Sequence, residues 1–275
     1  MDRNTASFAC NTYSYTISLG AEACLLHLAD LGFTDFELMI YPGHLWPPND
    51  ETASRAALRR FVQSRSLRIV SLNMPNVDIN VAGAAEQMRR YSIDLLKGIV
   101  TLAGALGVPG VVIGPGKANP LFPAPRERLI GYFFTALDEL VPLAEKAGTA
   151  LWVENMPFAF LPDIDGLMDA LDRYSNDDIG IVYDIANGHF INEDIADALR
   201  RCRKRLKLLH LSDTGQQHYR HDAIGLGTVP FWEFPPVLAE IGYCERPVLE
   251  IISHQADEDI LSSADKLAAM GYGRA

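Results

Sequence analysis

The chain has 275 residues, 48% hydrophobic and 21% charged, the composition of a soluble globular protein with one large core. Its 24 Lys and Arg face 35 Asp and Glu, a formal net charge of −11. That balance repels phosphate backbones and anionic lipid, and so argues against nucleic acid or a membrane surface as partner.

In chain order, short β-rich apolar runs alternate with longer amphipathic ones. A strand is expected at 7–11 (SFACN) and a helix at 20–31, then a strand at 35–40 (DFELMI) and a helix at 51–65. The strand at 68–73 (RIVSLN) leads to a helix at 85–106. The apolar window 98–116 is cut by Gly104, Gly107, Pro109 and Gly110, so it reads as helix end, turn and strand 110–114 rather than a membrane span. A helix at 125–147 precedes Gly148; Gly148 and Gly107 stand where helices end in a left-handed residue. The strand at 150–155 (ALWVEN) is followed by a helix at 163–174, and the strand at 179–184 (IGIVYD) by a helix at 193–204. Asn192 stands in the N-cap position of that last helix, and RRCRKR (200–205) reads as its solvated final turn, where cations suit the dipole. Strand 206–212 (LKLLHLS), helix 231–241, strand 246–252 (RPVLEII) and helix 257–270 complete the chain.

Continuous apolar strands separated by helices are the pattern of parallel strands buried on both faces. Eight such units predict a single-domain α/β protein over 1–275, a (β/α)8 TIM barrel. A doubly wound sheet would have fewer strands and a Gly-rich first turn, and CNTYSYTISLG contains no GxGxxG. Cys10, Cys24, Cys202 and Cys244 follow no CxxC or framework spacing, so they read as reduced thiols. The segment MDRNTASFAC lacks a signal-peptide pattern, and a cytoplasmic protein is expected.

Barrel active sites lie at the C-terminal ends of the strands. There the last four strands place Glu154, Asp184, His210 and Glu250. Adjacent strands are about 5 Å apart, so four such side chains can converge on one point. Three buried carboxylates side by side are strongly unfavourable unless a cation neutralises them. One divalent metal ion is therefore expected; oxygens plus one imidazole form a fairly hard set that fits Mn2+, Mg2+ or Co2+, with Zn2+ compatible, and although the ligands alone do not choose among them, Mn2+ is the first expectation.

The segments LWVENMP, IVYDIANGHF, LLHLSD, YRHDAIGLGTVPFWEF and PVLEI resemble the xylose isomerase-like TIM-barrel superfamily. It includes sugar and sugar-phosphate isomerases, ketose 3-epimerases, inosose and dehydroshikimate dehydratases, and endonuclease IV. The resemblance to the 3-epimerases implies that Glu154, Asp184, His210 and Glu250 hold the metal, with Glu154 and Glu250 as an acid/base pair acting through a metal-stabilised enediolate. Three positions depart from that pattern: Phe160, Asn187 and Gln216 stand where the relatives carry Glu, His and Arg. Endonuclease IV needs further histidines that Asn187 and RHDAIG do not supply, so no nucleic-acid partner is expected.

Other candidates are Asn187, Arg220 and His221 for gripping substrate oxygens or a carboxylate, and His44 in YPGHLWPP, beside Tyr41 and Trp46, for stacking on a sugar. Gly225 and Gly227 would let the loop after the seventh strand pass close to the site. Lys117 is a candidate anion contact, and Trp152 and Phe158 could form an apolar wall, with core packing the alternative for Trp152. Glu37, inside the second strand, and Asp213 are expected to support the site from behind, Asp213 alternatively capping a loop or touching substrate.

The expected activity is isomerisation or epimerisation of a small ketose, polyol-derived ketone or hydroxy-keto acid. A dehydratase of the inosose or dehydroshikimate type is the alternative, and a non-catalytic sugar-binding barrel a third class. Homodimers or homotetramers are common among the relatives.

Overall fold

The computed structural model describes residues 4–47, 52–74 and 78–273. Outside that range lie Met1–Arg3 of the N-terminal segment, Pro48 of YPGHLWPP, Glu51 at the expected start of the second helix, and Arg274 and Ala275. Eight strands, β1 (Ala9–Asn11), β2 (Asp35–Met39), β3 (Arg68–Asn73), β4 (Gly110–Ile113), β5 (Ala150–Glu154), β6 (Gly180–Asp184), β7 (Leu206–Leu211) and β8 (Val248–Leu249), close into a parallel barrel in chain order. Closure comes from β8 pairing with β1, Ala9 opposite Val248. Nine helices are described: α1 (Ala21–Asp30), α2 (Thr52–Ser64), α3 (Glu86–Leu106), α4 (Arg126–Ala147), α5 (Ile164–Tyr174), α6 (Ile185–Phe190), α7 (Ile195–Cys202), α8 (Pro235–Glu240) and α9 (Ala256–Ala269). The expected barrel and the order of its units are present. Among the described residues no helix is long and apolar enough to cross a membrane. The four cysteines are free thiols.

Strand alternation builds the site. Successive side chains point to opposite faces, so every second residue turns into the barrel. Leu151 and Val153 of β5, Ile181 and Tyr183 of β6, and Leu209 and Leu211 of β7 belong to the large core that also contains the helices. The intervening positions form a separate apolar plug of Ala9, Val70, Val112, Trp152, Val182, Leu208 and Val248. Two residues beyond the plug, on the same face of β5 to β8, stand Glu154, Asp184, His210 and Glu250. The polar layer is thus seated on a dry floor at the C-terminal end of the strands. Trp152 belongs to that floor and not to the mouth.

The local signals hold in part. Gly107 and Gly148 cap α3 and α4 with φ of 75° and 74°. Asn192 is not an N-cap: Asp194 is, its carboxylate accepting from Asp197 N at 3.0 Å, while Asn192 turns the chain at φ 60°. The displacement follows from α6, a short helix absent from the sequence reading, which occupies the β6–α7 connection. The expected helix at 231–241 is a 3-10 turn, Phe231–Glu233, followed by α8 with Pro235 at its first turn.

RRCRKR is not wholly solvated. Arg200 pairs with Glu240 of α8 at 2.9 Å and Arg201 with Asp169 of α5 at 3.0 Å. Arg205 is only 6% exposed and donates to the carbonyls of Asn176 (2.7 Å) and Ile179 (3.2 Å) and to Asp177 (2.9 Å). Its guanidinium ties the β6 entry loop to β7, because five fixed donors can satisfy several oxygens at once.

Candidate metal and active site

Glu154 is the last residue of β5, Asp184 the last of β6, His210 the penultimate residue of β7, and Glu250 directly follows β8. Register aligns them: Asp184 stands opposite His210, and His210 opposite Val248. One ligand atom from each of the four lies within 4.8 Å of all the others, and all four residues are buried. His210 Nδ1 is 3.1 Å from Glu250 Oε2, 3.2 Å from Glu154 Oε1 and 4.0 Å from Asp184 Oδ2.

A metal fits this set. Asp184 Oδ2 is buried without a hydrogen-bond partner, an arrangement that burial makes costly unless a cation meets it. Burial drives the Glu154 and Asp184 carboxyls upward, Asp184 to about 6, with the negative charge of neighbouring carboxylates adding to the effect. Burial opposes a charge on His210 as well, but the carboxylates of Glu37 and Glu250 outweigh it and hold the imidazole well above its ordinary value. In the metal-free protein the imidazolium is the only positive charge inside the cluster, the role a divalent ion would take over.

Glu37 sits directly behind His210. It is fully buried, and its Oε1 is 3.2 Å from His210 Nε2, though outside hydrogen-bond alignment. Its carboxylate accepts from Asn11 Nδ2 (2.6 Å), Asn73 Nδ2 (3.1 Å) and Ser71 Oγ (2.6 Å). Burial pushes the Glu37 carboxyl up, but His210 and these donors bring it below its ordinary value. A carboxylate behind a ligand imidazole orients the ring and raises its basicity. Asn155, next to Glu154, bonds both ways to the Asp184 backbone, at 2.7 and 3.0 Å. Asp184 Oδ1 caps α6 by accepting from Asn187 N at 2.8 Å, leaving Oδ2 for the cluster.

His221 and Asn187 reach the site. His221 Nδ1 lies 3.6 Å from Glu250 Oε2 and 3.7 Å from Asp184 Oδ2, and 2.9 Å from Ser212 Oγ. Its Nε2 is 2.7 Å from the Tyr219 hydroxyl, which donates to Asn187 Oδ1 at 2.6 Å. Asp213 holds the loop rather than facing the cavity: its carboxylate accepts from Thr214 N, Val229 N and Gly225 N at 2.9, 3.1 and 2.7 Å. Gly227 is required by that packing, since a Cβ there would fall 2.4 Å from Asp213 Oδ1 and from Thr214 O.

His44 and Arg220 are not brought to the site. Both His44 nitrogens are engaged elsewhere, Nδ1 with Leu19 O at 2.7 Å and Nε2 with Thr12 Oγ1 at 3.0 Å. Arg220 has a side chain 66% exposed and points toward Asp222. Phe160 packs on the helix-side core, and Gln216 donates to Asn192 at the surface. Above the cluster opens a cavity of about 360 Å3 that Glu154, Glu250, Asn187, His221, Lys117 and Phe158 help to line.

The sequence reading missed Tyr219, the polar ends of the first and third strands, Asn11 and Asn73, and Ser71 within the third. The signal for Asn11 and Asn73 was present: each closes its strand, as Glu154 and Asp184 do. The strand-end rule reaches them when it is applied to all eight strands.

Residues 25–270 match the xylose isomerase-like TIM barrel family, and the chain belongs to it. An uncharacterized protein of Methanocaldococcus jannaschii is 25% identical over 181 residues, 63% of this chain and 61% of that relative, so the match spans about three fifths of the relative's length. Among solved structures, a D-tagatose 3-epimerase-like protein superposes with a TM-score of 0.82 at 20% identity, covering 96% of each chain. An L-ribulose 3-epimerase gives 0.80 at 18% identity, over 99% of this chain and 94% of its own. The IOLI protein with a bound zinc atom gives 0.76 at 19% identity, over 95% and 96%. Likeness at these identities establishes the fold.

Proposed function

We propose that the chain is a divalent-metal-dependent isomerase or epimerase of a small hydroxy-carbonyl compound, in the range from ketoses and polyol-derived ketones to hydroxy-keto acids. The observation that carries this reading is the division of labour among the four clustered residues. Asp184 and His210 have no exposed surface, whereas Glu154 and Glu250 line the cavity. Two carboxylates thus meet the substrate from β5 and β8, on either side of His210.

A divalent ion held by Glu154, Asp184, His210 and Glu250 supplies Lewis-acid polarisation of a carbonyl and its neighbouring hydroxyl, which acidifies the C–H between them. Mn2+ is our first choice for the donor set, with Mg2+, Co2+ and Zn2+ compatible. One glutamate removes that proton and its partner returns one to the opposite face. His221 and Asn187 flank the polar end of the cavity where the reacting carbons sit.

The test is metal analysis of the purified protein, then proton exchange of a ketone panel in D2O. The expected result is about one divalent ion per chain and deuterium at the carbon between carbonyl and hydroxyl, with Glu154→Gln and Glu250→Gln each slowing exchange at least ~100-fold. Retained activity in Glu250→Gln refutes the mechanism. A new ultraviolet absorbance in place of exchange would instead identify loss of water and a dehydratase.

A further inference from the structure

The cavity wall beyond the carboxylates is apolar. Met39, Met74, Ile79, Val81, Met156 and Ile252 form most of it. Phe158 stands at the mouth, 63% exposed, its ring 5.4 Å from Tyr219 and 5.9 Å from Phe190. Four of the six aliphatic side chains named are nearly or fully inaccessible from outside: Met39, Ile79, Val81 and Met74 have exposures of 1%, 4%, 4% and 6%.

Several polar groups along the same wall are already engaged in part. Asn187 spends its backbone N–H on Asp184, its amide N–H on Asn155 O and its amide oxygen on Tyr219. Both nitrogens of His221 are taken, by Ser212 and Tyr219. The amide nitrogen of Asn73 donates to Glu37. A sugar chain laid along the six aliphatic side chains would set several hydroxyls against carbon, and an unpaired buried hydroxyl is unfavourable. Phe160 and Gln216 are turned to the core and to the surface, so they supply nothing to replace those partners.

We infer that the substrate has one hydroxy-carbonyl head for the carboxylate cluster and an apolar body, alkyl, aryl or alicyclic, for the rest of the cavity. This rests on the isomerase reading above and narrows its substrate class. Lys117 is the only Lys or Arg among the described lining residues, so a carboxylate is the charged group on the body that this wall matches.

Binding of hydroxamates separates this inference from turnover, because their paired oxygens imitate the reacting head. The metal-loaded protein is titrated by calorimetry with benzohydroxamate, hexanohydroxamate and threonohydroxamate. Each added hydroxyl in an apolar pocket weakens binding roughly tenfold or more, so the first two bind at least ~10-fold tighter than the third. Met156→Gln, nearly isosteric and at a partly exposed position, narrows that gap several-fold. Equal or tighter binding of threonohydroxamate overturns the substrate class. In the parallel D2O assay, faster exchange on D-fructose or D-tagatose than on 1-hydroxy-2-hexanone also overturns it and leaves the isomerase reading intact. Exchange on none of these ketones, with the hydroxamate preference present, refutes the isomerase reading while the apolar body stands.

Discussion

Glu37→Gln isolates the charge behind His210. The side chain keeps its shape, and a glutamine can still satisfy its neighbours: its carbonyl oxygen accepts from Asn11 and Asn73, and its amide donates to Ser71 after the hydroxyl rotates. What disappears is the negative charge 3.2 Å from His210 Nε2 and the charge assistance to three hydrogen bonds. Loss of a carboxylate behind a metal-binding imidazole weakens metal affinity about 10- to 100-fold, or about 1.4 to 2.7 kcal/mol. Charge-assisted bonds exceed neutral ones by about 1 kcal/mol each, so the three hydrogen bonds alone cost the fold about 3 kcal/mol. For a domain of this size that lowers Tm by roughly 6 to 12 °C. Metal affinity is read by competition with a fluorescent chelator, and stability by thermal unfolding with and without metal. A folded Glu37→Gln protein that binds metal within twofold of the parent would refute the orienting role.

Three further outcomes follow from the same geometry. Asp184 is ionised only above about 6, against an ordinary 3.8, because burial opposes its charge. The metal-free fold therefore has its full stability from this group below 3.8 and loses it as pH rises through about 6, a penalty of roughly 3 kcal/mol. Asp184→Asn keeps the α6 cap but removes the charge, so at pH 8 the metal-free variant melts above the metal-free parent and binds metal at least ~100-fold more weakly; a lower melting point would refute the assignment. Arg205→Ala leaves the Asn176 and Ile179 carbonyls without their donor and costs about 2 to 4 kcal/mol in denaturant unfolding, where a loss below 1 kcal/mol would show that solvent replaces it. Arg220→Ala, at an exposed loop position, leaves kcat/KM within about twofold, and a tenfold loss would place that side chain on the substrate.

The alternation of apolar runs and amphipathic helices determined the eight-unit barrel, because strand and helix periods are local properties of the chain. The same reading found Glu154, Asp184, His210 and Glu250, since a polar residue ending an apolar strand stands out wherever it occurs. His44 and Arg220, which are not brought to the cluster, come from loops, where adjacency in sequence says little about direction. His44 lies near the site in sequence logic, yet a carbonyl at 2.7 Å and a hydroxyl at 3.0 Å hold its ring elsewhere.

Only the closed barrel brings Asn11, Glu37, Ser71 and Asn73 behind His210, and Tyr219 between His221 and Asn187. These groups come from distant parts of the chain; Glu37 and the strand ends Asn11 and Asn73 carry a local polar signal, but which of them meet is decided by closure. The apolar wall is of the same kind. Met39 ends β2, while Ile79, Met156 and Ile252 stand in the segments that follow β3, β5 and β8, and only closure of the barrel gathers them around one cavity. Residue type and period settled where the four clustered residues stand; tertiary closure decided what surrounds them, because burial and hydrogen-bond partners are set by neighbours that sequence order does not supply.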